Sequence, residues 1–87
     1  MRRVGQVRRR DINETPIVQA LEAVGAHVTR ISGKGAPDIL VRYRGQLRAF
    51  EVKSAKGKQT DAQSETGWPI VRSVDEALVA VGAMEPS

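Results

Sequence analysis

Pro37-Asp38-Ile39-Leu40-Val41-Arg42-Tyr43-Arg44-Gly45-Gln46-Leu47-Arg48-Ala49-Phe50-Glu51-Val52-Lys53 is the stretch on which the reading of the fold turns. Pro37–Tyr43 and Gln46–Lys53 are rich in Ile, Leu, Val, Phe and Tyr, and Arg44-Gly45 separates them. Such a pattern reads as two strands joined by a tight hairpin turn. With a two-residue turn, Tyr43 pairs with Gln46, and counting back along both strands sets Asp38 opposite Glu51. Cross-strand partners share a face, with Cβ atoms about 4.5–5.5 Å apart. Lys53 lies two residues past Glu51, so it falls on the same face, about 6.6–6.8 Å further along. Phe50 and Val52 point the other way and pack.

The hairpin therefore predicts two carboxylates and one ammonium converging at adjacent strand ends. Like charges placed opposite each other destabilise a sheet, so the acid pair calls for a cation between its members. Hard carboxylate oxygens suit Mg²⁺, which keeps several waters and needs only one or two protein carboxylates. A divalent ion lowers the pKa of a water and offsets charge building on a phosphate. Lys53 could orient the attacking water or stabilise that charge. Each residue also has a bland reading. Asp38 after Pro37 is an ordinary turn residue, and Glu51 and Lys53 could be solvated positions on an exposed strand.

Outward from the hairpin, His27–Ser32 reads as a first strand, with Val28 and Ile31 apolar. Gly33-Lys34-Gly35 follows as a turn that lacks the P-loop pattern, and its Lys34 is a candidate DNA contact. A helix is expected to open near Asn13–Pro16. Asn13 or Thr15 can cap it, and Pro16 fits a first turn that needs no N–H. Ile17, Leu21 and Val24 form its buried stripe, and Gly25 ends it.

Beyond the hairpin, Lys56-Gly57-Lys58 begins a polar loop. Thr60 and Gln63 match a capping box that opens a short helix, stopped by Gly67 and Trp68-Pro69. Pro69–Arg72 reads as a last strand. Ser73-Val74-Asp75-Glu76 is a second capping box, opening a helix through Ala77, Leu78 and Val81 to Gly82. The order α-β-β-β-α-β-α gives an α/β sandwich with a mixed four-stranded sheet and flanking helices. Residues 1–11 read as a basic arm, 12–82 as one domain and 83–87 as a tail.

Composition narrows the partners. The chain has 87 residues, 14 Lys and Arg against 10 acids, a net charge of +4, one histidine and no cysteine. Disulfides and thiolate metal sites are excluded. Trp68, Tyr43 and Phe50 are its aromatic residues, so the core must come from aliphatic side chains. A chain this short has a thin core, which favours homodimerisation. Ten of the fourteen cations are arginine, and that balance suits a polyanion such as DNA. Arg8, Arg9 and Arg10 in the basic arm, with Lys34, Lys56 and Lys58, are candidate nucleic-acid contacts. The arm could equally be a terminus with no specific role. No apolar run approaches the ~18 residues of a membrane span and no signal-peptide pattern is seen, so a cytoplasmic, non-membrane protein is expected.

Gly35-Ala36-Pro37-Asp38-Ile39-Leu40-Val41 followed by Phe50-Glu51-Val52-Lys53 resembles the signature of the PD-(D/E)xK nucleases. More narrowly, the chain resembles the small stand-alone VRR-NUC domains of bacteriophages and prophages. Asn13-Glu14 on the first helix, Thr60 and Gln63, Val71-Arg72-Ser73, and Asp75-Glu76-Ala77-Leu78 carry this likeness across residues 12–82. The segment from Gln63 to Pro69 is several residues shorter than that family has. The resemblance implies a restriction-endonuclease-like fold and Mg²⁺- or Mn²⁺-dependent phosphodiester hydrolysis. Asp38, Glu51 and the carbonyl of Val52 would hold the metal, and Lys53 would position the nucleophile. Glu14 would reach the metal directly or through water, although an acid at a helix N-terminus is also favourable by itself. Gln63 would lie near the site, although its capping role is also sufficient reason for it.

Stand-alone members of that family resemble Holliday junction resolvases, which implies branched DNA as a substrate and a two-fold dimer, an assembly that suits a small subunit. The alternative function is a non-catalytic DNA-binding module of a phage or prophage. A third is a structural or partner-binding protein that keeps only the pattern.

Overall fold

The structure is a computed structural model that describes residues 14–54 and 66–86. The elements run α1 (Glu14–Ala23), β1 (His27–Arg30), β2 (Ile39–Tyr43), β3 (Gln46–Val52), β4 (Ile70–Val71) and α2 (Val74–Val81). The four strands form one mixed sheet in the order β1-β2-β3-β4. β1, β2 and β3 are antiparallel to their neighbours, and β4 joins β3 in parallel. Parallel neighbours need a crossover of a dozen or more residues, and residues 53–69 connect β3 to β4. The helix expected from Thr60 lies outside the described residues.

The expected register holds. Tyr43 pairs with Gln46 and Ile39 with Phe50. Arg44 (φ 53°) and Gly45 (φ 80°) turn the chain with two positive φ values, as a type I′ hairpin turn requires. Alternation then sorts the side chains. Ile39, Val41, Phe50, Val52 and Val71 are all buried and face the helices. Ile17, Val18 and Leu21 of α1 and Ala77 and Val81 of α2 close this core from above. Asp38, Glu51 and Lys53 fall on the other set of positions.

The end of α1 and both ends of α2 have local causes. Gly25 follows α1 with φ 99°, and the N–H of Ala26 donates to Leu21 O at 3.0 Å. Ser73 caps α2, accepting from the Glu76 N–H at 3.0 Å. The Glu76 carboxylate reaches back to the N–H of Arg72 at 2.7 Å, one residue short of the ordinary capping-box partner. Gly82 (φ 85°) closes α2, and the N–H of Ala83 donates to Leu78 O at 2.8 Å, as in a Schellman end.

The stripe of α1 needs one correction. Val24 is 39% exposed, and Val18 takes the buried place. The helix ends at Ala23, so Val24 has left the helical period. Among the described residues no helix is long and apolar enough to cross a membrane.

Candidate active site

Asp38 sits immediately before β2, and its backbone is held on both sides. Its N–H donates to Phe50 O at 2.9 Å, and its carbonyl accepts from Ile31 N at 2.9 Å. The side chain is fixed too, because Oδ2 accepts from the N–H of Val52 at 2.8 Å. On β3, Glu51 donates its N–H to Pro69 O at 2.7 Å and Lys53 to Val71 O at 3.1 Å. Residues 51 and 53 thus turn their peptide groups toward β4, while 50 and 52 turn theirs toward β2. By that alternation the Val52 carbonyl lies on the Asp38 side, as its N–H does.

Asp38 and Glu51 meet as the register requires. Burial pushes the Glu51 carboxyl above its ordinary value of 4.5, and the neighbouring Asp38 charge raises it further. Lys53 acts in the opposite sense, and a hydrogen-bond contact with Asp38 adds to the rise. Lys53 Nζ lies 3.9 Å from Glu51 Oε2, with side chains 43% and 20% exposed. Lys53 offsets only part of the rise, and Glu51 holds its proton more tightly than a free carboxyl.

This donor set fits a hard divalent cation. Two carboxylates at one strand end give anionic oxygens, and the Asp38 charge, which adds to the burial that raises Glu51, is a repulsion such an ion would relieve. Glu14 is placed differently. It is 2% exposed at the start of α1, and its Oε2 lies 3.4 Å from Arg30 Nε. Arg30 Nη2 also reaches Thr15 Oγ1 at 3.4 Å. Among the described residues no three of His, Cys, Asp or Glu converge as a metal-holding group. The structure brings Asp38, Glu51 and Lys53 together and places Glu14 in an α1–β1 ion pair.

Lys34 is exposed in the Gly33–Gly35 loop, four residues before Asp38. Gln63, Lys56, Lys58, Arg8, Arg9 and Arg10 lie outside the described residues.

Three contacts between separate elements have no counterpart in the sequence pattern. Trp68 Nε1 donates to Gly35 O at 2.8 Å, strapping the loop before β4 to the loop before Asp38. Arg72 Nη1 donates to Ser54 O at 3.0 Å, gripping the chain just after Lys53. The Glu14–Arg30 pair joins residues with no pattern linking them in sequence. Only the Val71-Arg72-Ser73 likeness hinted at any of these.

Comparison with family models, with characterised proteins and with solved structures finds no match to this chain. The arrangement of Asp38, Glu51 and Lys53 therefore stands on its own geometry.

Proposed function

We propose that the protein is a metal-dependent endodeoxyribonuclease that hydrolyses phosphodiester bonds at the Asp38–Glu51–Lys53 centre. The observation that carries this reading is the cross-strand placement of Asp38 and Glu51 set by the Ile39–Phe50 pairing, with Lys53 Nζ 3.9 Å from Glu51 Oε2. A protein that only bound DNA would gain nothing from an acid pair facing phosphates. Asp38, Glu51 and the Val52 carbonyl hold Mg²⁺ or Mn²⁺ in this reading. When bound, the ion activates a water and offsets charge on the phosphate.

The chain's own groups do the rest. Asp38 is clamped to the Val52 N–H through Oδ2, which leaves Oδ1 as its other donor oxygen. Glu51 supplies the opposing oxygens. Lys53 donates hydrogen bonds to the attacking water or to a phosphate oxygen as negative charge accumulates. The family resemblance also implies Glu14 as a metal ligand, direct or through water, and Gln63 as a site residue, and both belong to this proposal.

The finer assignments belong to the same proposal. They are a restriction-endonuclease-like sandwich with a helix in the β3–β4 crossover, a homodimer acting on branched DNA, and a cytoplasmic site of action. The test is Mn²⁺-dependent cleavage of junction, flap, nicked and linear DNA by wild type beside Asp38→Asn. Cleavage by wild type and none by the variant is the expected result. Equal cleavage by both would place the chemistry elsewhere. If neither cuts any of these DNAs while both bind them, the non-catalytic DNA-binding module is the better reading.

A further inference from the structure

The far end of the same hairpin carries a different chemistry. Between Ile39 and Phe50 the chain has Arg42, Arg44 and Arg48 and no acidic residue. All three arginines are exposed. We infer that this turn end is a second nucleic-acid contact, a three-arginine grip on the phosphates of duplex DNA. Asp38 and Arg44 are six residues apart along a strand, so the grip lies about 20 Å from the acid pair. The identity of the ligand rests on the nuclease reading above.

Stability alone does not explain Arg44. The first central position of a type I′ turn favours Asn, Asp or Gly, because φ is positive there. Arg44 adopts φ 53°, a region where a long side chain is an uncommon occupant. The chain has placed a cation where cheaper residues exist, and such outliers point to a role. The Arg44 guanidinium lies 5.1 Å from the centroid of the Tyr43 ring. That contact holds the cation at the tip and covers one face of the ring.

The covered ring bears on the kind of nucleic acid. Single strands are bound by stacking their bases on open aromatic faces. Tyr43 is the aromatic of this tip, and Arg44 occupies it. The chemistry left to offer is cationic, which suits phosphates.

The faces agree with a duplex. Arg42 pairs with Leu47, and Arg48 pairs with Val41, so these two arginines project from opposite faces of the ribbon. Arg48 Nη2 is further held by Gln46 Oε1 at 2.7 Å. β1 flanks β2 as far as Arg42, which pairs with His27, so the two-stranded part is the short tip beyond it. That tip meets the phosphates of a duplex with cations on both of its faces. With duplex DNA rising about 3.4 Å per base pair, the grip falls about six base pairs from the scissile phosphate.

The test uses DNA stem-loops with stems of about four and about twelve base pairs, with binding measured without divalent metal across a salt series. Wild type is expected to bind the long stem at least about tenfold more tightly. The Arg42→Ala/Arg44→Asn/Arg48→Ala triple variant should lose that preference. Its salt slope on the long stem should fall by about 2–3, near 0.9 per lost phosphate contact. Its affinity for the short stem should change by less than about threefold. Arg44→Asn alone should weaken long-stem binding while raising Tm by about 2–4 °C, which separates the grip from folding.

Equal losses on both stems would reduce the effect to general charge and overturn the grip. So would unchanged long-stem binding by the triple variant, or tighter binding of wild type to a single strand than to either stem. Mn²⁺-dependent cleavage without stem-length dependence sinks the grip and spares the nuclease. Stem-length dependence without cleavage supports the grip and sinks the nuclease.

Discussion

At its strand end the β2–β3 hairpin carries Asp38, Glu51 and Lys53, clamped by backbone partners on both neighbouring strands. At its turn end it carries Arg42, Arg44 and Arg48, all open to water. On the face toward the helices Ile39 and Val41 are fully buried, whereas Leu47, on the opposite face near the turn, is 67% exposed. One ladder thus holds a clamped, partly buried acidic end and an exposed cationic end. Rigidity belongs where geometry must be kept for bond breaking. Exposure belongs where long-range attraction is enough.

That contrast breaks first at Ile39. Ile39→Ala removes a fully buried side chain beside the acid pair and should cost about 2–5 kcal/mol. A domain of this length holds only ~0.05–0.15 kcal/mol per residue, so the variant should be largely unfolded or strongly destabilised. Leu47→Ala, at the exposed end, should stay within about 0.5 kcal/mol of wild type. Urea denaturation of the two variants checks both values. Similar losses would mean that both faces of the hairpin are packed alike.

Asp38→Asn sharpens the contrast chemically. The amide oxygen can still accept from the Val52 N–H, so the clamp survives while the charge is lost. Metal-dependent cleavage should fall by about 10²–10³-fold with Tm nearly unchanged. A loss of activity accompanied by a loss of fold would assign Asp38 to the scaffold alone.

Ser73→Ala lies away from both ends and measures the support of β4, the strand that accepts Lys53 N. Removing a serine cap costs about 1 kcal/mol. Thermal melting should show this, with little change in cleavage at a temperature where the variant is folded. A cleavage loss far beyond the folded fraction would show that α2 positions Lys53 through β4.

Much of this was legible because a strand repeats every two residues. The Tyr43–Gln46 pairing followed from a two-residue turn, and the meeting of Asp38 with Glu51 followed from that pairing. The ends of α1 and α2 were marked by Gly25 and Gly82, whose positive φ few other residues adopt as easily, and the start of α2 by Ser73, whose side chain caps it. What stayed hidden depends on tertiary distance. The Glu14–Arg30 pair, the Trp68–Gly35 strap and the Arg72–Ser54 bond join residues on separate elements, and no local pattern couples them. Val24 was misplaced because a helical period says nothing about the residue at which the helix stops. The arginine tip was visible as composition, but its significance needed the positive φ of Arg44 and the covered ring of Tyr43.

The smallest expected effect concerns Glu51 in metal-free protein. Its folded carboxyl titrates above 4.5, chiefly because it is partly buried and secondarily because Asp38 is adjacent. Below 4.5 both folded and unfolded chains hold the proton, and the raised value costs nothing. As pH climbs through the interval between the unfolded and folded values, the unfolded chain gives up its proton first, and folding loses stability. Above the folded value the penalty is constant. Glu51→Gln removes that titration while keeping a polar partner for Asp38. In chelator, the variant should therefore melt slightly above wild type near pH 7, and the difference should vanish near pH 4. Adding Mn²⁺ should raise the wild-type Tm more than the variant's, since binding to the folded state alone stabilises it. An equal Mn²⁺ response in both proteins would remove Glu51 from the metal site, and with it the chemical distinction between the two ends of the hairpin.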